Sequence, residues 1–147
     1  METVMMPATL ARPWIHPLHA ILLSFPVALF ASALASDITY FNSGEVQWSN
    51  LSQWAITGGL VFGAPVLGWA VFARVRARGA GVRSRPSIYL ILICAMWIVG
   101  LLNAFKHSQD AWSSVEAGGL LLSILSTMLA LAAAWVAHSE ILAGDKA

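Results

Sequence analysis

The chain has 147 residues, of which 59% are hydrophobic and only 10% are charged. A soluble domain carries about 25% charged residues, so the composition excludes an ordinary water-soluble globule. The net charge of +1 gives no electrostatic case for nucleic-acid binding. The single cysteine, Cys94, cannot form an internal disulfide and belongs to no zinc-type spacing. We therefore expect an integral membrane protein.

Charged residues divide the sequence into four apolar segments that are long enough to cross a bilayer. A spanning helix needs roughly 20 mostly apolar residues, and these runs lack the alternation of a spanning strand. The predicted spans are about residues 14–36, 54–73, 87–105 and 117–138. They predict an all-α four-helix transmembrane bundle over 14–139, with tails at 1–13 and 140–147. The segment "ASALAS" at 31–36 would also suit signal peptidase, but the long run before it, with two histidines and two prolines, favours a retained span.

Arginines in the second loop predict the orientation of the bundle. The loop "RVRARGAGVRSR" covers residues 74–85, whereas the first loop holds only Asp37 and Glu45 as charged residues. Positive charge marks the cytoplasmic side of a membrane protein. We therefore expect both termini to be cytoplasmic, with the first and third loops on the outside.

Small residues in the second span predict that it is the central packing helix. Gly59 and Gly63 are four residues apart, as are Ala64 and Gly68. Small residues at this spacing let helix backbones approach closely in lipid.

The four histidines are the ionisable groups predicted within or at the edge of the apolar slab. His16 and His19 are three residues apart, which places them on one face of a helix at the cytoplasmic start of the first span. His138 ends the fourth span on the same side, so these three histidines share one level. His107 ends the third span on the opposite side, beside Asp110, and is interpreted as an interface residue.

Three interpretations of His16, His19 and His138 stay open. They can be interface residues that bind lipid head groups. They can hold a haem b between the first and last helices, with His19 or His16 on one side of the iron and His138 on the other, as neutral imidazoles. They can also form a proton or quinone site, because an intramembrane ionisable group that titrates near neutrality is a functional candidate. No catalytic residues are assigned, since no GxSxG, HExxH or P-loop motif occurs, and a stand-alone enzyme is not predicted.

The stretch "IHPLHAILLSFPVALFASALASDITY", residues 15–40, resembles the opening of a bacterial membrane family known as domain of unknown function 2231. Members of that family begin with His-Pro-x-His, continue with Phe-Pro, and carry an aspartate at the end of the helix. The matching residues here are His16, Pro17, His19, Phe25, Pro26 and Asp37. The later stretches "GGLVFGAPVLGWA" and "LLNAFKHSQDAW" resemble the second helix of the family and the end of its third.

The resemblance implies a small four-helix protein of the bacterial inner membrane without an established activity. Some relatives are joined to a Rieske-type iron–sulfur domain, and many end the fourth helix with a histidine after paired glycines. Here "AWVAH" ends at His138 without those glycines, and no Rieske cysteines occur. The resemblance therefore implies a redox subunit that works with a separate iron–sulfur protein, a dehydrogenase or quinone. The opposing hypothesis is a non-catalytic structural or assembly subunit of a membrane complex, and a transporter component is the third.

Overall fold

The computed structural model describes residues 16–77, 84–108 and 116–139. They form the helices α1 (Pro17–Ser43), α2 (Val46–Ala77), α3 (Ser84–His107) and α4 (Ala117–His138). Each helix is long and apolar enough to cross a membrane, and no strand occurs in the described ranges. The prediction of an all-α four-helix membrane bundle is confirmed, and its apolar outer faces contact the lipid bilayer. The predicted tails at 1–13 and 140–147 lie outside the described residues.

Helices that follow one another in the chain are neighbours in space. α1 packs against α2 and α4, and α3 packs against the same two helices. α1 and α3 therefore lie diagonally across the bundle, and successive helices run antiparallel. We call the end that carries Arg74 and Arg76, in the last turn of α2, the arginine end, and the other the opposite end. The starts of α1 and α3 lie at the arginine end together with the end of α4.

The bounds of α1 follow from residues that start and stop helices. Pro17 occupies the first turn, where its missing N–H costs little. The helix stops at Gly44, whose φ of 71° is the left-handed conformation that glycine tolerates, and the Gly44 N–H donates to the Tyr40 carbonyl at 2.8 Å. Because the helix continues beyond the predicted span, Asp37 lies inside α1 rather than in a loop.

Phe30 fills the centre of the bundle, and small residues on two neighbouring helices make room for its ring. Its side chain is fully buried. A Cβ added at Gly59 of α2 would lie 3.2 Å from Phe30 Cζ, and one added at Gly100 of α3 would lie 2.7 Å from that atom. Thr127 of α4 donates its hydroxyl to the Phe30 carbonyl at 2.9 Å. All four helices therefore meet around Phe30.

The glycines of α2 divide into a packed face and an outward face. Gly59 and Gly63 are buried, and a Cβ on Gly63 would meet Trp97 of α3 at 3.4 Å. The predicted packing role of this pair is confirmed. Ala64 and Gly68 are exposed, and a Cβ on Gly68 would meet nothing within 4 Å. Their predicted packing within the bundle is wrong, because a step of one residue turns the helix by about 100° and carries them off the packed face.

Candidate functional site

Polar and aromatic side chains gather at both ends of the bundle, in two separate clusters. The arginine-end cluster consists of His16, His19, Trp69, Tyr89 and His138. The Asp37–His107 cluster, at the opposite end, consists of Asp37, Ser52, Asn103, His107 and Ser123. Each cluster contains one side-chain bond between α1 and α3, the helices that lie diagonally.

His19 is buried inside the bundle and bound to Tyr89 of α3. Its Nε2 lies 2.6 Å from the Tyr89 hydroxyl, and both residues are 2% exposed. The Nδ1 atom of His19 is also buried and has no hydrogen-bond partner among the described residues. A buried polar atom without a partner costs about 1–3 kcal/mol. This nitrogen is therefore a point at which a bound group would attach.

Trp69 of α2 lies against both histidines of the first motif. Its ring centroid is 5.5 Å from that of His16 and 5.4 Å from that of His19. His16 is exposed and caps α1 from outside the helix, with its Nδ1 accepting the Leu18 N–H at 3.2 Å. The two histidines do not share a helix face as predicted, because a residue before proline disfavours the helical conformation. Trp69, rather than helix periodicity, brings them together.

His138 is the last residue of α4 and lies at the same end. Its Nδ1 donates to the Ala134 carbonyl at 2.8 Å, which leaves Nε2 for another partner. His138 is exposed. The three histidines that the sequence singled out thus all lie at the arginine end, where Trp69 contacts His16 and His19 and Tyr89 binds His19.

The Asp37–His107 cluster connects all four helices. His107 Nε2 lies 3.0 Å from Asp37 Oδ1, and Ser52 Oγ lies 3.5 Å from the same nitrogen. Ser123 donates to Asp37 Oδ2 and accepts from Asn103 Nδ2, the latter at 2.8 Å. His107 Nδ1 donates to the Asn103 carbonyl at 3.0 Å. Side-chain and backbone bonds thus close a ring that begins and ends at Asn103.

This cluster corrects the interpretation of His107 as an interface residue. His107 is 1% exposed and its partner is Asp37, which is 0% exposed. Asp110, the neighbour considered from the sequence, lies outside the described residues. α1 and α3 run in the same direction, so their last turns meet at the same end of the bundle. Asp37 was missed because the first span was expected to end one residue before it.

The two diagonal pairs are equally spaced along α1 and α3. The sequence separation is 70 residues both for His19 with Tyr89 and for Asp37 with His107. The interval from one pair to the other is about five helical turns on each helix, or roughly 27 Å. This length is close to the roughly 30 Å thickness of the hydrocarbon core. The pairs therefore lie near the two faces of the membrane. The equal separation of 70 residues within the two pairs was a signal available in the sequence.

No three histidine, cysteine, aspartate or glutamate side chains converge on a metal site within the described ranges. The arginine end carries His19 on α1 and His138 on α4. Two imidazoles suit the two axial positions of a haem iron, whereas a closed structural zinc site takes four protein ligands.

Comparison with known proteins identifies the family. Residues 15–139 match the family model described as predicted membrane protein (DUF2231). The chain belongs to this family. The matched range contains both clusters, and the resemblance seen in the first motif is confirmed. The comparison with curated proteins and that with solved structures found no match. Family membership thus supports a multi-pass membrane protein and assigns no activity to it.

Proposed function

We propose that this member of DUF2231 is a small redox subunit of the bacterial inner membrane that binds haem b at its arginine end, between α1 and α4. The observation that carries the proposal is a pair of imidazole nitrogens left open at this end. One is Nε2 of His138, whose Nδ1 is bound to a carbonyl, and the other is the buried Nδ1 of His19. In this role His19 and His138 hold the iron.

The donor set fits haem on chemical grounds. Histidines that bind metals usually donate their second ring N–H to a carbonyl or carboxylate, as His138 does to Ala134. Tyr89 occupies Nε2 of His19, so Nδ1 is the nitrogen that His19 offers. When bound, haem supplies one-electron chemistry, while the chain sets access and potential through its ligands and their burial. His16 is the alternative ligand on α1.

The arginines support a cytoplasmic location for this end. Arg74 and Arg76 lie in the last turn of α2, Arg78 and Arg83 follow in the sequence before α3, and Arg85 is the second residue of α3. By the positive-inside rule both termini and the redox site then lie on the cytoplasmic side. An iron–sulfur protein or a dehydrogenase is the class of partner that would exchange electrons there.

A quinone head group is the second candidate for the same site, and the His19–Tyr89 bond favours it. If the Tyr89 hydroxyl donates to Nε2, His19 carries its hydrogen on Nδ1. A buried N–H without an acceptor is the group that a quinone carbonyl would accept from. Trp69 supplies an aromatic ring beside His19 for contact with the quinone ring.

Absorption spectroscopy on the purified full chain, after haem has been supplied during expression, separates the two candidates. Haem binding predicts a Soret band with low-spin features that His19→Ala and His138→Ala each remove. His16→Ala distinguishes the two candidate ligands on α1: the bands survive this change if His19 holds the iron and are lost if His16 does. A colourless protein that binds a quinone analogue, with binding lost in His19→Ala, would replace haem by quinone.

A further inference from the structure

The hydrogen bonds around Asp37 and His107 determine where protons must lie. The backbone carbonyl of Asn103 can only accept, so His107 carries a hydrogen on Nδ1. In a neutral imidazole Nε2 is then an acceptor, and an ionised carboxylate is also an acceptor. Nε2 and Asp37 Oδ1 are 3.0 Å apart. Two acceptors cannot form a hydrogen bond with each other, so this contact requires one additional proton.

We infer that Asp37 and His107 together form a proton-binding site that holds one proton between Oδ1 and Nε2. The proton can reside on nitrogen, as imidazolium beside carboxylate, or on oxygen, as carboxylic acid beside neutral imidazole. The number of protons is the same in both forms, and the net charge of the pair is zero. This site is distinct from the redox site proposed for the arginine end, and it stands on different observations.

Burial supports a pair with no net charge. Both side chains are fully enclosed, and an unpaired charge in such a place is strongly unfavourable. The helices packed against the pair face it with groups that do not titrate, Ser52 on α2 and Ser123 on α4.

Among the described residues, the other charged groups at this end lie away from the pair. Lys106 and Glu116 bind each other at 3.7 Å, and Glu45 is exposed. Tyr40 also lies at this end, about one turn after Asp37 on α1. A proton is therefore the cation that balances the buried carboxylate.

Loss of the proton has a structural consequence. It leaves two acceptors face to face and a net negative charge in the bundle, and the bond that joins α1 to α3 at this end is broken. The released proton passes to water at the nearby membrane surface, and no other bond in the pair changes. Asn103 Oδ1, in the same cluster, is a buried acceptor with no partner among the described residues. The site thus couples proton release to separation of the diagonal helices.

The test compares the pH dependence of unfolding for the full-length protein and for Asp37→Asn in detergent micelles. In the variant an amide N–H can donate to Nε2 and the amide oxygen can accept from Ser123. The cycle of hydrogen bonds through Asn103, Ser123, residue 37 and His107 is therefore kept without a shared proton. The unfolded His107 carries a proton below about pH 6.5 in both proteins, so this proton cancels in the comparison. The native wild-type pair holds one proton more than the native variant, whereas the unfolded Asp37 holds none above about pH 4. Stability falls with pH wherever the native state holds more protons than the unfolded state.

The expected result is a wild-type folding constant that falls, relative to that of the variant, tenfold per pH unit above about pH 5, as long as the native pair keeps its proton. The exposed histidines, His16 and His138, are common to both proteins and cancel in the ratio. A ratio that does not change with pH overturns the inference. If the variant fails to fold, histidine ¹⁵N NMR of the wild type decides, with the His107 signal assigned by His107→Gln. At about pH 7 the site predicts hydrogens on both His107 nitrogens, or a hydrogen on Nδ1 alone together with a protonated Asp37 carboxyl, which the ¹³C shift of that carboxyl reports. A neutral ring beside an ionised Asp37 carboxylate, or a hydrogen on Nε2 alone, overturns the inference.

Discussion

Replacing Gly100 with alanine tests the packing that sets the rotation of the helices. The added Cβ would lie 2.7 Å from Phe30 Cζ, 3.0 Å from its Cε1 and 3.2 Å from Leu60 Cδ2. The Phe30 ring is fully buried and the Thr127 hydroxyl binds its carbonyl, so the ring can retreat only if α1 moves. Overpacking of this kind costs about 1–3 kcal/mol, while alanine returns up to about 1 kcal/mol through its helix propensity. We expect a net loss of about 1–2 kcal/mol in the free energy of unfolding.

Helix content, followed by circular dichroism during titration with a denaturing detergent, measures this loss. Gly68→Ala is the matched control, because its Cβ would meet nothing within 4 Å and the change should be neutral or slightly stabilising. Combining Gly100→Ala with Phe30→Leu should recover part of the loss, since the smaller side chain relieves the contact. Equal stability of the Gly100 and Gly68 variants would refute the proposed packing.

Three further changes test the buried polar contacts and the orientation. Tyr89→Phe removes the hydroxyl that binds His19 Nε2 and should cost about 1–3 kcal/mol in the same assay; an unchanged free energy of unfolding would mean that the bond contributes nothing. Ser123→Ala leaves the buried carboxylate without one donor and should lower the free energy of unfolding by roughly 1–3 kcal/mol as well. Ser32→Ala is its control and should change stability little, because Ser32 loses only a bond to its own helix. With Cys94 replaced by serine, a single cysteine placed in the arginine-rich loop should react with a membrane-impermeant thiol reagent only after the cells are opened; labelling of intact cells would reverse the orientation.

The four helices were predictable because lipid imposes a simple requirement on sequence. Backbone polar groups inside a bilayer must be satisfied within the helix, so each crossing needs a long apolar run. Such runs are interrupted at the arginine-rich loop and at the polar stretch before α4. A span predicted from hydropathy ends at a charged residue, however. For this reason the predicted first span stops before Asp37.

The contacts within the two polar clusters could not be predicted in the same way. Residues that face lipid and residues that face the core are both apolar in a membrane protein, so composition does not reveal the rotation of a helix. The fit of Phe30 against Gly59 and Gly100 sets that rotation. Once α1 and α3 are fixed in this way, His19 meets Tyr89 and Asp37 meets His107.

The histidines of the first motif illustrate the limit of periodicity. A spacing of three residues indicates one helix face only if both residues are helical. Pro17 starts the helix after His16, so only His19 enters the bundle. The contacts of His19 come from other helices, because Trp69 lies on α2 and Tyr89 on α3.

The oxidised and reduced absorption spectra of the full-length protein, purified from membranes with haem supplied, test the proposed function most directly. Ligation by His19 and His138 predicts one haem per chain, a Soret band, and sharp low-spin bands that appear on reduction. The His138→Ala variant, measured at the same protein concentration, should lose those bands while it retains its helix content. A wild-type protein that stays colourless, or one whose bands survive in both the His19 and the His138 variants, would contradict the assignment of these residues as haem ligands.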